Sequence, residues 1–352
     1  MKNQVKRKCP MIILVVISFF LVSFSRMVEA AEDSVGFSFE LRMPDNSLKP
    51  DAGYYDLLMT PGQKQTLEIS FTNNTSKPLT VNASINGAKT NRNGLVEYGD
   101  STIENDASLK NDFQSVVKGP EKITLKANET KDFQYTINMP KEKYDGVLVG
   151  GLQFVKEEDT EKAEGTQIVN RYAYVVPILL KETDVELTPD LAFNSVAATS
   201  ENGRNSIVLN FSNVVATYVK EMTAEVNISK KGSQDILYTR KKNAMLMAPN
   251  SFMDYYVSLN GDPMVAGNYM AQILITSGNQ KWEWQEDFKI TEKEAKKFNE
   301  QDVNLTDEDG FNWTLVVIVI AVVIVFVALF LLINKKFMTT KKKAKPKKKK
   351  RK

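Results

Sequence analysis

Ser115 and Lys118 stand at the Ser-x-x-Lys spacing, in which a lysine close to a serine serves acyl-transfer chemistry. That chemistry also requires a Ser-Asp-Asn and a Lys-Thr-Gly triplet, and the sequence contains neither. We therefore interpret the spacing as a chance match and predict no acyl-transfer activity.

Glycoside hydrolysis needs only two carboxylates, so it is the other chemistry that the residue types permit. No pair stands out among the acidic residues, and we interpret Glu157-Glu158-Asp159 as a solvated loop. The chain has no histidine, and its one cysteine, Cys9, lies near the N-terminus before an apolar segment. This inventory excludes histidine-based catalysis, Cys/His zinc sites and disulfides. We predict a non-enzymatic protein with no catalytic residue, no metal site and no cofactor.

Gly146, Gly150 and Gly151 lie within the apolar segment GVLVGG. Glycines inside a strand indicate a bulge or a close approach of another group to the backbone. A ligand could make that approach, but a tight contact within the protein requires fewer assumptions. Both interpretations stay open at this point.

Four aromatic residues are the candidates for a contact surface: Tyr172, Tyr174, Trp282 and Trp284. In each pair the residues are two apart, so on a strand they point to one face. Partly exposed rings could stack on sugars or on a partner's side chains. The alternative is that the rings belong to the core.

Apolar residues alternate with polar ones through most of the chain between the two ends. The pattern is clearest at Phe133, Tyr135, Ile137 and Met139, and Pro61-Gly62 is one of several turn signals between such segments. Short alternating strands separated by turns are typical of antiparallel sandwiches. The fold class predicted is all-β: two tandem immunoglobulin-like β-sandwiches, followed by one C-terminal transmembrane helix.

The two sandwiches are expected at 31–156 and 168–290, separated by 157–167. This intervening segment is polar and lacks apolar periodicity, so it is either a linker or a long hairpin loop. If it is a hairpin loop, the strands on both sides pair and the boundary moves to Glu182-Thr183-Asp184.

A polar helix is predicted after the second sandwich. Thr291 and Glu294 have the spacing of a capping box, which begins a helix. We interpret 291–312 as a stalk between the second sandwich and a membrane.

The two ends of the chain predict one membrane topology. The segment 313–333 has no charged residue and is long enough to span a bilayer as a helix. The basic tail 334–352 then stays cytoplasmic, and 1–30 has the layout of a secretory signal peptide. The localisation predicted is the cell membrane, with a single span and the ectodomain in the wall space. Absent disulfides and lysine-rich ends favour a Gram-positive bacterium.

Charge is strongly segregated along the sequence. Of 46 basic residues, five lie in 1–30 and twelve in 334–352, and of 43 acidic residues only Glu29 lies in these ends. The ectodomain therefore has 29 basic and 42 acidic residues, a net charge of about −13. Such a surface repels nucleic acid, so we predict no nucleic-acid partner.

Three blocks of the ectodomain resemble the WxL-interacting protein family of Gram-positive surfaces. They are YYDLLMTPGQKQTLEISFTNNTSKPLTV from Tyr54, INMPKEKYDGVLVGGLQF from Ile137 and NRYAYVVPILLKE from Asn170. The resemblance implies an N-terminal peptidoglycan-binding domain and a C-terminal domain that binds host surface or matrix proteins. It also implies secreted WxL-domain proteins as partners, and it carries no catalytic residue.

The function predicted is that of a membrane-anchored surface protein that associates with peptidoglycan and with WxL-domain proteins. The alternative is an adhesin that binds host matrix proteins, with incidental contact to the wall. Trp313-Thr314-Leu315 spells W-x-L, but it opens the apolar segment and lies in no WxL domain.

Overall fold

The computed structural model describes residues 35–157, 172–305 and 313–340, with side chains in the last range given for 316–328, 330 and 331. The predicted signal peptide, most of the basic tail and most of the 157–167 segment lie outside the described residues. The described part is mostly β-strand, as the alternating sequence predicts. The strands form two units, each with its own hydrophobic core.

The first unit contains eleven strands: β1 (Phe37–Arg42), β2 (Tyr55–Leu58), β3 (Lys64–Asn73), β4 (Leu79–Gly87), β5 (Lys89–Thr90), β6 (Val96–Glu97), β7 (Val117–Lys118), β8 (Lys122–Leu125), β9 (Thr130–Asn138), β10 (Val147–Lys156) and β11 (Ala173–Lys181). One sheet has the order β1-β3-β9-β7 and the other β2-β11-β10-β4-β8. All pairings in these two sheets are antiparallel except β2 with β11, which is parallel. A separate hairpin is formed by β5 and β6.

Alternation along the strands builds the core of the first unit. In β3, Leu67, Ile69 and Phe71 are buried, and the residues between them are only half-buried. The opposing sheet contributes Leu152 and Phe154 to the same core. Burial of such side chains contributes about 1.5–3 kcal/mol each.

β10 and β11 pair over nine residues, from Val147–Lys181 to Val155–Ala173. The two strands that flank 157–167 therefore belong to one sheet of the first unit. This pairing corresponds to the hairpin alternative, in which the boundary between the units falls near 182–184.

The second unit contains seven strands: β12 (Leu191–Glu201), β13 (Arg204–Asn213), β14 (Val219–Lys230), β15 (Ile236–Met247), β16 (Ser251–Ser258), β17 (Gly267–Ser277) and β18 (Gln280–Ile290). Its sheets have the orders β12-β13-β16 and β15-β14-β17-β18, and all pairings are antiparallel. Residues from both sheets meet in one core, which includes Phe211, Val226, Tyr255 and Ile273. The immunoglobulin-like type of the two sandwiches stays a prediction.

Two helices accompany the strands of the two units. The first, α1 (Phe113–Val116), is a single turn with Asp112 as its N-cap. The second, α2 (Glu292–Gln301), begins with the capping box of Thr291 and Glu294 that the sequence predicts.

The helix α2 packs on the second unit, whereas the sequence suggested a stalk. Ala295 is buried in the core of that unit, and Asn299 exchanges two hydrogen bonds with the Met264 backbone, at 2.7 and 2.9 Å. After the helix, the Val303 N–H donates to the Gly203 carbonyl at 2.8 Å. The chain therefore stays attached to the second unit as far as residues 303–305.

The helix α3 spans Trp313–Thr340 and contains the apolar segment. Among the described residues, no helix is found that is long and apolar enough to cross a membrane. The predicted membrane span at 313–333 stays a prediction.

Candidate functional site

The two candidate tyrosines lie at the start of β11 in the first unit. Tyr174 packs edge-on against Phe37 and Phe39, with ring centroids 5.4 Å apart in both pairs. Its ring therefore belongs to the margin of the core. Tyr172, just before the strand, is 49% exposed and is the one of the four candidates with a large free surface.

The two candidate tryptophans lie on β18 and point to the same side as the buried Phe288 and Ile290. Trp282 donates from Nε1 to Asp190 Oδ1 at 3.0 Å, and the Trp284 ring lies 6.0 Å from that of Phe193. Both rings are half-buried at the edge of the second core. The four aromatic candidates thus border two different cores, and their role as a contact surface stays a prediction.

Ser115 and Lys118 are each engaged by backbone groups rather than by one another. Ser115 Oγ donates to the Asp112 carbonyl at 2.6 Å, and Lys118 Nζ donates to the Gln114 carbonyl at 2.7 Å. These bonds hold the serine in the turn that forms α1. Within the described ranges, no group of three or more acidic, histidine or cysteine residues is placed to hold a metal ion.

The glycines of β10 are positions where other parts of the protein approach the backbone. A Cβ on Gly150 would lie 2.2 Å from the Phe113 ring and 2.4 Å from the Asn86 carbonyl oxygen. A Cβ on Gly151 would lie 2.6 Å from the Tyr98 carbonyl oxygen. The close approaches are therefore made by the protein itself, which favours the contact interpretation over a ligand.

The segment that covers β10 is 88–112, which we call the arm. It leaves the first unit after β4, contains the β5–β6 hairpin and returns at α1. Near Tyr98 it crosses the outer face of β10, where the Asp100 N–H donates to Gln153 Oε1 at 2.5 Å. Because the arm covers one face and the core the other, β10 is buried on both faces over its first six residues.

The arm also reaches the second unit through a closed ring of three hydrogen bonds. The Ala248 N–H donates to Thr90 Oγ1 at 2.9 Å, and Ser251 Oγ donates to the Ala248 carbonyl at 2.9 Å. Because the serine proton is used there, the 2.6 Å bond between Thr90 Oγ1 and Ser251 Oγ has the threonine as its donor. Thr90 is 1% exposed, so the ring is shielded from water.

The tip of the arm extends this contact along the backbone. The Leu246 N–H donates to the Gly94 carbonyl at 2.8 Å. Gly94 has a φ of +65°, and a Cβ there would lie 2.4 Å from Met245 Cγ. Glycine is required at this position both for its backbone conformation and for its proximity to the second unit.

The returning half of the arm contributes a carboxylate. Asp106 accepts hydrogen bonds from Ser212 and, at 2.6 Å, from Ser108 Oγ. Burial alone would raise the pKa of Asp106, but these hydrogen bonds, with the charge of Lys89 nearby, lower it below its ordinary value. Ser108 in turn accepts from Asn250 Nδ2 at 3.1 Å. The charged form of Asp106 therefore favours docking of the two units.

The first unit also touches the second unit directly. The Val147 N–H donates to the Ala216 carbonyl at 2.8 Å, and a Cβ on Gly146 would lie 2.3 Å from that same oxygen. The hydroxyls of Tyr98 and Tyr218 lie 3.2 Å apart. Burial, followed by the interaction with Tyr98, raises the pKa of Tyr218.

A cleft of about 500 Å³ lies beside these contacts. Tyr144 lines it from the first unit, and Val215 and Asn250 line it from the second. Sequence reasoning did not identify the arm or this junction. The available signal was the unbroken apolar character of VLVGGL in β10, since a strand covered on both faces loses its alternation.

Several solved structures are similar to this chain at low sequence identity. A PapD-like domain of human CEP192 has 10% identity and a TM-score of 0.26, covering 43% of this chain and 88% of its own. A chain in the structure of the Salmonella enterica SafA pilin in complex with the SafB chaperone has 11% identity and a TM-score of 0.28. This match covers 72% of the present chain and 97% of the other. The E. coli chaperone DraB has 12% identity and a TM-score of 0.27, and the match covers 72% of the present chain and 98% of DraB. Likenesses of this size support no argument about function, and no curated protein matches the sequence.

Two family models match in the order that the resemblance implies. The peptidoglycan binding domain of WxL Interacting Protein matches 37–156, and its host binding domain matches 163–300. The second match begins before β11, although that strand pairs into the first unit. Both models describe binding domains, so the chain is a surface protein with a peptidoglycan-binding and a host-binding domain. The chain belongs to the WxL-interacting protein family.

Proposed function

We propose that this protein is a non-enzymatic adaptor, anchored in the cell membrane by 313–333. Its two docked units hold peptidoglycan and a secreted WxL-domain protein together at the cell surface. The observation that carries the proposal is the junction: a peptidoglycan-binding and a host-binding domain are joined by buried hydrogen bonds. Two units docked in this way hold their bound partners at a fixed separation, whereas a flexible linker would let that separation vary.

The charge of the ectodomain restricts how the wall is recognised. At about −13, the ectodomain is repelled by anionic wall polymers at long range. Binding then rests on short-range hydrogen bonds and on contacts with aromatic rings such as that of Tyr172, which is exposed.

Exposed apolar side chains on α3 support the membrane anchor. Ile324 is 62% exposed and Phe326 is 68% exposed, and the described neighbours are similar. Apolar surface of this extent is favourable only in contact with lipid or with another protein. The positive charge of 334–352 supports a cytoplasmic tail, by the positive-inside rule.

The strand order supports an immunoglobulin-like type for the second sandwich. Its first, second and fifth strands form one sheet, and its third, sixth and seventh lie together in the other. Six of the seven strands are thus distributed as in a seven-stranded immunoglobulin domain, whose fourth strand lies in the sheet of the first, whereas the fourth strand here, β15, pairs with the third.

A second function is favoured by the match to the host binding domain at 163–300. In this alternative the protein is an adhesin for host matrix proteins, and its contact with the wall is incidental. The two functions differ in which partners the chain captures.

The test uses the full chain in detergent micelles, incubated with purified sacculi, with secreted WxL-domain proteins and with host matrix proteins, each alone and in combination. The adaptor function predicts that the chain sediments with sacculi and carries the WxL-domain protein with it. Capture of matrix proteins without sacculi or WxL-domain proteins would establish the adhesin instead.

A matched pair of variants tests whether the junction matters. Gly146→Ala places a methyl group against the Ala216 carbonyl, whereas Gly53→Ala meets no atom within 4 Å. The adaptor function expects Gly146→Ala to retain each single partner but to lose joint capture, while Gly53→Ala behaves as the unaltered chain. Joint capture by both variants alike would show that docking is irrelevant to the function.

A further inference from the structure

The outer face of the sheet β15-β14-β17-β18 has a continuous row of amide and hydroxyl side chains. Cross-strand pairing places Thr239 opposite Asn227, Asn227 opposite Gln272, and Gln272 opposite Gln285. Each strand therefore contributes one member of the row. All four side chains lie on the face away from the core, because the residues on either side of each in sequence point inwards.

The amides of this row are available to a ligand. Thr239 Oγ1 donates to Asn227 Oδ1 at 2.7 Å, which leaves the Asn227 NH₂ group unused. Within the part of the chain that the structure describes, no hydrogen bond engages the side chains of Gln272 or Gln285. A groove of about 560 Å³ is lined by Asn227, Gln272 and Gln285 together with Glu225, Leu274 and Glu283.

The charges around the row are paired. Lys241 lies 2.8 Å from Glu225, Lys281 lies 2.8 Å from Glu283, and Lys231 lies 2.6 Å from Asp287. This face is therefore close to neutral in an ectodomain of about −13. A neutral surface rich in amides is complementary to an uncharged ligand with many hydroxyl and amide groups, and not to a polyion.

The spacing of the row matches a β-1,4-linked sugar chain. Neighbouring strands lie about 4.8 Å apart, which is close to the length of one sugar ring in such a chain. A chain lying across the strands would meet one polar side chain for each ring. Met270 and Leu274 flank Gln272 on its own strand and face the same way, so they offer apolar contact to the C–H groups of the rings.

We propose that this row binds the glycan strand of peptidoglycan, which gives the second unit a wall contact of its own. The inference rests on the proposed association of this chain with peptidoglycan. The first unit matches a peptidoglycan-binding domain, and the junction fixes the second unit to it. Once the first unit is bound, the row is held near the same polymer at a raised effective concentration.

The test is a calorimetric titration of the full chain in micelles with a β-1,4-linked hexamer of N-acetylglucosamine. The double variant Gln272→Ala/Gln285→Ala removes two of the hydrogen-bonding groups from the row. Each lost hydrogen bond weakens binding about two- to tenfold, so the double variant is expected to bind about four- to hundredfold more weakly. Thr276→Ala, on the same face but outside the row, is the matched control and is expected to bind normally.

The inference is overturned if the unaltered chain does not bind the hexamer, or if the double variant binds it as well as the control. It is also overturned if a sulfated or sialylated host glycan binds the row more tightly than the hexamer. Sedimentation with sacculi separates this inference from the proposed function. If the unaltered chain sediments but the hexamer titration is unaffected by the double variant, only the inference fails. If the unaltered chain does not sediment at all, the proposed wall association fails.

Discussion

One sheet of the first unit has a covered outer face, whereas one sheet of the second unit has an outer face that is open. In the first unit, the outer face of β10 is covered by the arm and by the second unit. In the second unit, the outer face of β17 is open, and its residues alternate between buried and half-exposed. The sequences differ accordingly: β10 reads VLVGGLQFVK, and β17 reads GNYMAQILITS.

The difference shows what a covered strand requires. Apolar residues on both faces give β10 two buried surfaces, and glycines allow other backbone segments to approach it. β17 instead has Gln272 and Met270 on its outer face, which remains available to solvent or to a ligand. One unit thus uses its outer face to build the junction, and the other keeps its outer face free for binding.

The largest expected effect comes from filling the covered face. Gly151→Ala places a methyl group 2.6 Å from the Tyr98 carbonyl oxygen and 2.8 Å from Tyr98 Cβ, so the arm and β10 cannot both keep their positions. We expect the free energy of unfolding to fall by about 3 kcal/mol. Urea unfolding of the full chain measures this, with Gly53→Ala as the control that leaves stability nearly unchanged. Equal stability of the two variants would show that the arm does not press on β10.

Gly146→Ala acts on the junction rather than on either core. Its methyl group would lie 2.3 Å from the Ala216 carbonyl oxygen, and the φ of +94° adds strain to any residue other than glycine. We expect the units to separate while both stay folded. Hydrogen exchange reports this directly, because the Val147 N–H that donates to Ala216 should exchange much faster. An unchanged exchange rate at Val147 would contradict the prediction.

Thr90→Val keeps the shape of the side chain but removes the hydroxyl from the buried ring of hydrogen bonds that joins the arm to the second unit. The Ala248 N–H and Ser251 Oγ then lose a partner in a site without water access, which costs about 2 kcal/mol. Faster exchange of the Ala248 amide and a lower unfolding free energy are the measurements. Thr80→Val is the matched control, because its hydroxyl makes only an exposed contact of 3.5 Å with Thr124. If both variants behave alike, the ring does not stabilise the junction.

Acid is expected to weaken the junction through Asp106. Because the pKa of this carboxyl is lowered in the folded chain, in part by the hydrogen bond from Ser212 of the second unit, the charged form stabilises the folded, docked chain at every pH above the ordinary value of 3.8. The contribution is lost as the pH falls through the lower pKa of the docked state. The difference in unfolding free energy between the unaltered chain and Asp106→Asn should therefore shrink between about pH 5 and pH 2. A constant difference over this range would rule out a role for the charge.

The smallest expected effect is that of salt on wall binding. Salt screens the repulsion between the acidic ectodomain and anionic wall polymers, while short-range hydrogen bonds are little affected. Retention of the full chain on sacculi should therefore stay constant or rise as salt is added. A steep loss of retention at moderate salt would show that binding is electrostatic and would contradict the use of neutral faces.

Much of the strand structure was predictable from the sequence. Alternation at Leu67, Ile69 and Phe71, and again from Phe133 to Met139, predicts strands that the structure contains. Thr291 and Glu294 predict the start of α2 correctly, because a capping box is a local interaction. The fate of α2 after that start was not predictable, since the contacts of Asn299 with Met264 join residues 35 positions apart.

The candidate site was less predictable. The spacing of Tyr174, Trp282 and Trp284 predicts correctly which face of its strand each ring lies on. It does not predict whether that face is exposed or lies at the edge of a hydrophobic core. The row at Thr239, Asn227, Gln272 and Gln285 has no local signature at all, because its members come from four strands and meet only through cross-strand register.

By itself the sequence determined the all-β class, most of the strands, the net charge of about −13 over residues 31–312 and the family. These depend on periodicity, composition and contiguous blocks, which are properties of neighbouring residues. Only the tertiary structure decided that the arm covers β10, that Thr90 meets Ser251 across 161 positions, and that the second unit keeps an open face. The physical reason is that such contacts depend on which surfaces pack together, and packing between distant segments leaves no period in the sequence.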